Sequence, residues 1–302
     1  MNHIIYRQGT LADSYAVFHL FEETLADLLQ GMGFTEPTSF SDPQQLAAMW
    51  NQRRSLYEHL AVHAEQYWVA ESAGKVVGFA RSILEDGVRE LTEFFVQPGI
   101  QSSGIGRQLM ERAFPADGAR LRSIIATPDP RALARYLKTG IYPRFPVAYF
   151  GKSPEIIDNA TDLDLEPLQY NPQNLARLGN LDQVILGFRR DFTHTWLLQN
   201  RQGFLYHRQG HPLGYGYLGT NNGPFALLES ADFPSVLAHA ETQAAQRGAD
   251  HFGVEVPLIN REAVDYLLRC GFRMAGFLAQ FMSDQPFGNF ERYILTSPPF
   301  FM

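Results

Sequence analysis

Residues 96–107, Val96-Gln97-Pro98-Gly99-Ile100-Gln101-Ser102-Ser103-Gly104-Ile105-Gly106-Arg107, contain the parts of an anion site. An apolar, strand-like run (Leu91, Phe94, Phe95, Val96) stops at Pro98, and a helix-like run from Arg107 to Phe114 follows the glycines. The first amides of a helix have no partner within it and lie at the positive end of its dipole. Gly104 and Gly106 let a phosphate approach the backbone closely. No Asp or Glu falls between Pro98 and Met110, and Arg107 adds positive charge. Glycine-rich turns between strand and helix also occur without ligands. The Gln-x-x-Gly-x-Gly spacing after Val-x-Pro is narrower than that general pattern, and it is not the Gly-x-Gly-x-x-Gly of a dinucleotide fold.

Two carboxylates, Glu90 and Glu93, lie in the strand before this loop. Their odd spacing places them on opposite faces of a regular strand, with Glu90 in the parity of Phe94 and Val96. Tyr136 lies in Asp129-x-x-Ala132-x-x-Arg135-Tyr136-x-x-x-Gly140-Ile141. Asp129-Pro130 opens that helix and Gly140 closes it. Tyr136 is then either a core tyrosine with its hydroxyl at the rim or a proton donor. Ser14, Ser102 and Ser103 are poor nucleophile candidates, because no Gly-x-Ser-x-Gly elbow is present. His59 and His63 have a spacing a metal could use, but no third ligand is near, so they are expected to be solvated. The same expectation applies to Arg53-Arg54 and Arg189-Arg190.

Together the two motifs resemble those of the GNAT superfamily of acyl-CoA-dependent N-acetyltransferases. The glycine loop is similar to the superfamily's pyrophosphate-binding motif. Residues 129–141 are similar to its Asn-x-x-Ala-x-x-Leu-Tyr-x-x-x-Gly-Phe helix, with Asp for Asn, Arg for Leu and Ile for Phe. The resemblance implies acetyl-CoA as cosubstrate and no metal. Gln101, Ser102, Ser103, Gly104, Ile105, Gly106 and Arg107 would hold the pyrophosphate, beside Phe94, Phe95 and Val96. A backbone N–H near Phe94 would bind the thioester oxygen, and Tyr136 would protonate the departing thiolate. Attack on a thioester needs a neutral amine, hence a base. Glu90 resembles the base of histone-type members by its offset from Val96, and Glu93 is its rival. The acceptor would be a small-molecule or peptide amine. An acyl-CoA sensor or scaffold without turnover is the alternative, and a transferase of longer acyl groups a third possibility.

The elements that must position these residues form one pattern written twice. Strand 4–8 and a helix bearing Leu11, Tyr15, Phe18, Leu25 and Leu28 come first, then a helix capped by Asp42-Pro43. Strands 67–71, 76–83 and 88–96 lead into the glycine loop, its helix, strand 121–126 and the Tyr136 helix. From Asp162 the order recurs: strand 163–169, helical segments from Leu175 to Trp196, strands 204–207, 213–218 and 225–229. Helix 234–247, strand 251–256, helix 261–270 and a hairpin of 277–283 with 290–296 follow. Gly74, Gly78 and Gly140 align with Gly210, Gly214 and Gly271. Residues 151–161 have linker composition. The pattern predicts an α/β fold of two tandem GNAT-like domains, 1–155 catalytic and 156–302 degenerate, each a mixed, mostly antiparallel sheet flanked by helices.

In the second copy the loop's place is taken by Leu228-Glu229-Ser230-Ala231-Asp232-Phe233-Pro234, which has no glycine and two carboxylates. Asp232 reads as an N-cap that uses up the helix amides, so this copy is expected to have lost the coenzyme. Tyr266 sits one position before Leu267, which holds the place of the tyrosine acid; on a helix that step is a turn of ~100°.

The 302 residues are 45% apolar and 19% charged, as in a packed globular protein. A net charge of −7 argues against nucleic acid as the main partner. No apolar run has membrane-span length, and no signal-peptide core opens the chain. The single cysteine, Cys270, excludes an intrachain disulfide and fits a reducing cytoplasm. A cytoplasmic monomer or homodimer is expected.

Overall fold

A computed structural model of the chain describes residues 3–34, 40, 42–101, 104–158 and 161–297. Its contacts group into two compact units, Met1–Arg122 and Ser123–Met302.

In the first unit β1 (Ile4–Gln8), β2 (Ala64–Ser72), β3 (Lys75–Glu85) and β4 (Val88–Val96) pair antiparallel in that order. Two-residue turns join β2 to β3 and β3 to β4. Their residues, Ala73-Gly74 and Asp86-Gly87, all have positive φ, as the mirror-image hairpin turns require. Helices α1 (Ser14–Gly31) and α2 (Pro43–His63) cover one face of this sheet. Asp42 caps α2 as expected, accepting from the Gln44 amide at 2.8 Å. Helix α3 (Ile105–Ala113) covers the other face. It comes so close at Gly78 that a Cβ there would lie 3.1 Å from Leu109 and 3.3 Å from Ile105. Phe18, Leu60, Val69, Phe79 and Leu109 are fully buried between these layers. Such side chains contribute about 1.5–3 kcal/mol each.

The second unit contains two strand sets. β5 (Leu121–Ala126), which starts at the end of the first unit, is followed by β6 (Tyr142–Lys152), β11 (Phe252–Pro257) and β12 (Arg273–Ser283) in the order β5-β12-β6-β11. β7 (Asp164–Leu168), β8 (Gln202–Arg208), β9 (His211–Leu218), β10 (Phe225–Leu227) and β13 (Tyr293–Ile294) form a five-stranded sheet, ordered β13-β10-β9-β8-β7. The helices are α4 (Pro130–Lys138), α5 (Pro172–Ile185), α6 (Asp191–Asn200), α7 (Phe233–Gln246) and α8 (Arg261–Arg269). Phe233, Val236, Leu237, Ala263 and Leu267 pack with Phe252, Val254 and Val256 in its core. The fold is α/β, and the strand pairs named here are antiparallel.

Two expectations fail. The C-terminal hairpin does not form: β12 pairs with β5 and β6, and β13 pairs with β10. β6, which the linker composition after Gly151 obscured, is a long strand with Val147, Ala148 and Phe150 buried. It lies in the first copy of the repeat yet pairs with β12 and β11 of the second copy. The sequence pattern predicts the change of copy near residue 155; the compact units divide within β5.

Candidate acyl-transfer site

The candidate site begins with an irregularity in β4. Arg81 faces Glu93 and Ser82 faces Leu91, so Thr92 is one residue too many and β4 bulges there. The Thr92 hydroxyl donates to the Arg81 carbonyl oxygen at 3.1 Å. A bulge reverses side-chain parity beyond it. Glu90, Glu93 and Phe95 therefore share one face, opposite Ile83, Arg81 and Phe79, while Phe94 and Val96 take the other with Ala80 and Gly78. The Glu face meets the first two helices, where the Phe95 ring lies 5.0 Å from Phe21 of α1. The Phe94 face meets α3, where the Ser82 hydroxyl donates to Ala113 at 2.7 Å. The two carboxylates are thus on one side, not opposite sides, and Glu90 does not share a face with Phe94 and Val96.

Glu93 is fully buried. Its Oε2 accepts from Nε of Arg81 at 2.7 Å and also from Nη2 of the same guanidinium. Arg81, itself fully buried, donates through Nη1 to the Tyr57 carbonyl at 3.1 Å. Its guanidinium lies over the rings of Tyr67 and Tyr57, at 5.0 and 5.6 Å. Burial raises the pKa of Glu93, and Arg81 opposes that rise. Sequence reasoning missed Arg81. The signal was a single charge in the apolar run Val76-Val77-Gly78-Phe79-Ala80-Arg81-Ser82-Ile83. Glu90 is also buried.

The glycine loop leaves β4 with Val96 paired to Gly78. The Gln101 side chain folds back and donates to the Val96 carbonyl at 3.1 Å. Gly104 occupies the N-cap of α3 at φ +89°, and among the described residues no side chain caps this helix. A Cβ at Gly104 would meet no atom of the described residues beyond its chain neighbours within 4 Å. Ile105 is buried against the sheet, while Arg107 is exposed, 3.8 Å from Glu111. Ser102 and Ser103 lie outside the described residues.

In the second unit Asp129 caps α4, accepting from the Arg131 amide at 2.8 Å, and Gly140 ends the turn after it at φ +81°. Tyr136 points to the buried side of α4. Burial, aided by Asp129, raises its pKa, so the phenol holds its proton at neutral pH.

Several solvated residues expected from sequence prove buried. His59 is 9% exposed, and burial, with His63 and Arg81 nearby, pushes its pKa down to about 3. Arg53 is half-buried and pairs with the buried Glu22 at 2.8 Å. Arg190, before α6, belongs to a closed network inside the second unit. Asp182 of α5 accepts from Arg190 Nε at 2.8 Å and Nη2 at 3.1 Å, and from the Tyr215 hydroxyl. His194 Nε2 lies 2.8 Å from Asp182 and its Nδ1 2.8 Å from the Tyr217 hydroxyl. Burial lowers the His194 pKa, and the neutral ring satisfies both contacts, donating to Asp182 and accepting from Tyr217. Among the described residues, no group of three or more His, Cys, Asp or Glu is arranged to hold a metal.

The second copy differs from the first in two ways at its counterpart of the loop. Asp232 holds the N-cap position of α7 but does not cap it; Arg208 takes its carboxylate at 2.6 Å. The helix amides are therefore not used up as the sequence suggested. The last strand also lies between β10 and β11. Tyr293 and Ile294 pair with β10, and the Leu295 amide donates to Glu255 of β11 at 3.0 Å. β10 and β11 are the repeat's counterparts of strands 88–96 and 121–126. Tyr266 is nearly buried, in the same core as Leu267.

The bulged strand, its glycine-rich exit and the start of α3 coincide with a family match: the acetyltransferase (GNAT) domain family matches residues 63–140. This stretch resembles a GNAT domain. The fold extends the similarity over the whole length. A candidate acetyltransferase from Pyrococcus horikoshii superposes with a TM-score of 0.73 at 14% identity, covering 96% of this chain and 92% of that one. A GCN5-related N-acetyltransferase from Sphaerobacter thermophilus gives 0.59 at 14% identity, with 95% and 97% covered. A tandem GNAT protein from the clavulanic acid biosynthesis pathway gives 0.53 at 14% identity, with 94% and 99% covered. No curated protein sequence matches the chain. No described helix is long and apolar enough to cross a membrane.

Proposed function

We propose that the chain is an acetyl-CoA-dependent N-acetyltransferase acting on a primary amine. The observation that carries this reading is the start of α3, uncapped among the described residues, behind the bulged β4, at the place where the GNAT domain matches. Backbone amides of residues 101–107 would hold the pyrophosphate without a metal. The amine attacks the thioester carbonyl carbon, a carboxylate of β4 takes a proton, and the C–S bond breaks. Tyr136, protonated at neutral pH, would return a proton to the sulfur. The GNAT-like domains would be 1–155, with the coenzyme, and 156–302, without it.

The test is an acetyl-CoA turnover screen over polyamines, aminoglycosides, small amines and peptide N-termini. It is paired with calorimetry on Gly104→Asp. That variant puts a carboxylate beside the helix start. At ~4 Å and an effective dielectric of ~20, one charge pair costs about 4 kcal/mol, roughly a thousandfold in affinity. Unchanged CoA affinity would remove the loop from the site. CoA binding with no transfer to any amine would leave an acyl-CoA sensor instead.

A further inference from the structure

We propose that the second unit binds an organic ammonium ion on the face of β6 and β11 turned away from α7 and α8, with the Glu255 carboxylate as its counter-charge and the Tyr149 ring beside it. The site uses none of the residues assigned to acyl transfer, so the inference goes beyond the acetyltransferase reading and does not depend on it. In the pairing of β6 with β11, Tyr149 lies directly across from Glu255, and Gly151 across from Gly253. Ala148, Phe150, Phe252, Val254 and Val256 belong to the core shared with α7 and α8. The alternate residues therefore share the other face, and His251, one step before β11, has their parity.

Two glycines shape this face. A Cβ at Gly253 would lie 2.0 Å from the Tyr149 hydroxyl, and one at Gly151 would lie 2.5 Å from Nε2 of His251. Glycine inside a strand marks a place where another group approaches the backbone closely, and here that group is the Tyr149–His251 pair. The two rings are nearly parallel, 6.0 Å apart at 20°, with the hydroxyl 2.8 Å from Nε2. Burial, and then Glu255, push the Tyr149 pKa up to about 12, so the phenol keeps its proton. The backbone underneath is fixed. The Gly253 carbonyl accepts from the Asn222 side chain at 3.0 Å, and the Glu255 carbonyl from the Leu295 amide at 3.0 Å.

Glu255 is the member without a partner. Among the described residues no side chain or amide bonds its carboxylate, and burial by itself pushes its pKa up to about 7. The fully buried carboxylates of the same unit each hold a cation of the chain: Asp182 has Arg190, Asp232 has Arg208 and Glu241 has Lys152. The half-buried Glu255 has none. A metal ion needs several ligands, and no group of three or more His, Cys, Asp or Glu is arranged to hold one among the described residues. An ammonium needs less: a carboxylate for its N–H donors and an aromatic ring within reach. Side chains opposite each other on antiparallel strands start only ~4.5–5.5 Å apart, so one small cation can touch both Glu255 and Tyr149.

The titratable groups facing Glu255 are Tyr149 on β6, His251 before β11 and, beyond the glycine pair, Arg273 on β12 opposite Gly151. Glu255 must be ionised to hold a cation. With its pKa at about 7, the ionised fraction falls about tenfold from pH 8 to pH 6, and affinity should fall with it. The bound cation in turn favours the charged form and must lower that pKa.

The experiment titrates n-propylammonium chloride into full-length protein without acetyl-CoA, read by NMR of 13C-labelled glutamate carboxylates and tyrosine rings. The Glu255 and Tyr149 signals are assigned by their loss in Glu255→Gln and Tyr149→Leu. Propylammonium should shift both signals saturably and lower the Glu255 pKa. Glu255→Gln should weaken binding by about 10–100-fold, read on Tyr149, and Tyr149→Leu by about 2–5-fold, read on Glu255. A Tm near wild type shows that each variant is folded, and the wild-type titration decides the matter if one is not. No saturable shift in wild type overturns the inference, as does an equal shift of Tyr149 in Glu255→Gln. A response to Mg2+ but not to propylammonium overturns it too, since that is a metal site. Each of these failures leaves the acetyltransferase reading standing, because no arm contains the coenzyme.

Discussion

Asp182→Ala should be among the most destabilising single substitutions in the chain. The carboxylate is fully buried and binds Arg190, His194 and Tyr215, all fully or almost fully buried themselves. Its loss strands a guanidinium with no counter-charge and leaves a hydroxyl and a ring N–H without an acceptor. Breaking a buried ion pair from one side costs about 3–5 kcal/mol. For a unit of this size, each kcal/mol corresponds to about 2–4 °C, so Tm should fall by about 6–20 °C in calorimetry. Replacing the pair together, Asp182→Leu with Arg190→Met, removes both charges and should recover part of that loss. The pH dependence has a definite sign. The neighbouring cation and imidazole hold the Asp182 pKa below its ordinary value near ~3.9, so its contribution is complete above that pH. It is lost as pH falls through the folded pKa, and the deficit of Asp182→Ala must shrink only in that acid range. A Tm within about 2 °C of wild type at neutral pH would refute the argument.

Two further outcomes follow from the site. Tyr136→Phe should keep acetyl-CoA affinity while turnover drops about 10–10⁴-fold, as for loss of a proton donor; equal turnover would return Tyr136 to a packing role. Titration should give one CoA per chain, because β13 and Leu295 fill the place between β10 and β11 and α7 starts beside Glu229 and Asp232. A stoichiometry of two would show that the strand yields to the coenzyme.

Features set by neighbours in sequence were legible in it. The caps Asp42 and Asp129 bond as their spacing suggested, and β1, β4 and β5 run over the expected residues. Gly214 was visible only as a repeat match; the structure adds that a Cβ there would lie 2.1 Å from the Ala226 oxygen. Partners distant in sequence were not legible. Alternation in β12 shows a strand but does not say that β5 and β6 flank it. The bulge at Thr92 leaves no mark in residue type, yet it reverses which carboxylate shares a face with Phe94. Arg190 reads as one of two adjacent solvated arginines until Asp182 of α5 is brought to it by the fold.

The order β5-β12-β6-β11 has a consequence for synthesis on the ribosome. Each strand of the first unit after β1 meets its next neighbour within a tight turn, so that sheet can assemble as it emerges. β6 ends at Lys152, but β12, its partner toward β5, is complete only at Ser283, about 130 residues later. At roughly 5–20 residues per second, both edges of β6 are unpaired for about 5–21 s, until β11 ends at Pro257, and the edge toward β5 waits about 7–26 s. An open strand of this length is a template for pairing with another chain. Production of this protein is therefore expected to depend on translation speed and chaperone supply between residues 152 and 283, and a gene fragment ending near 155 would leave that edge open permanently.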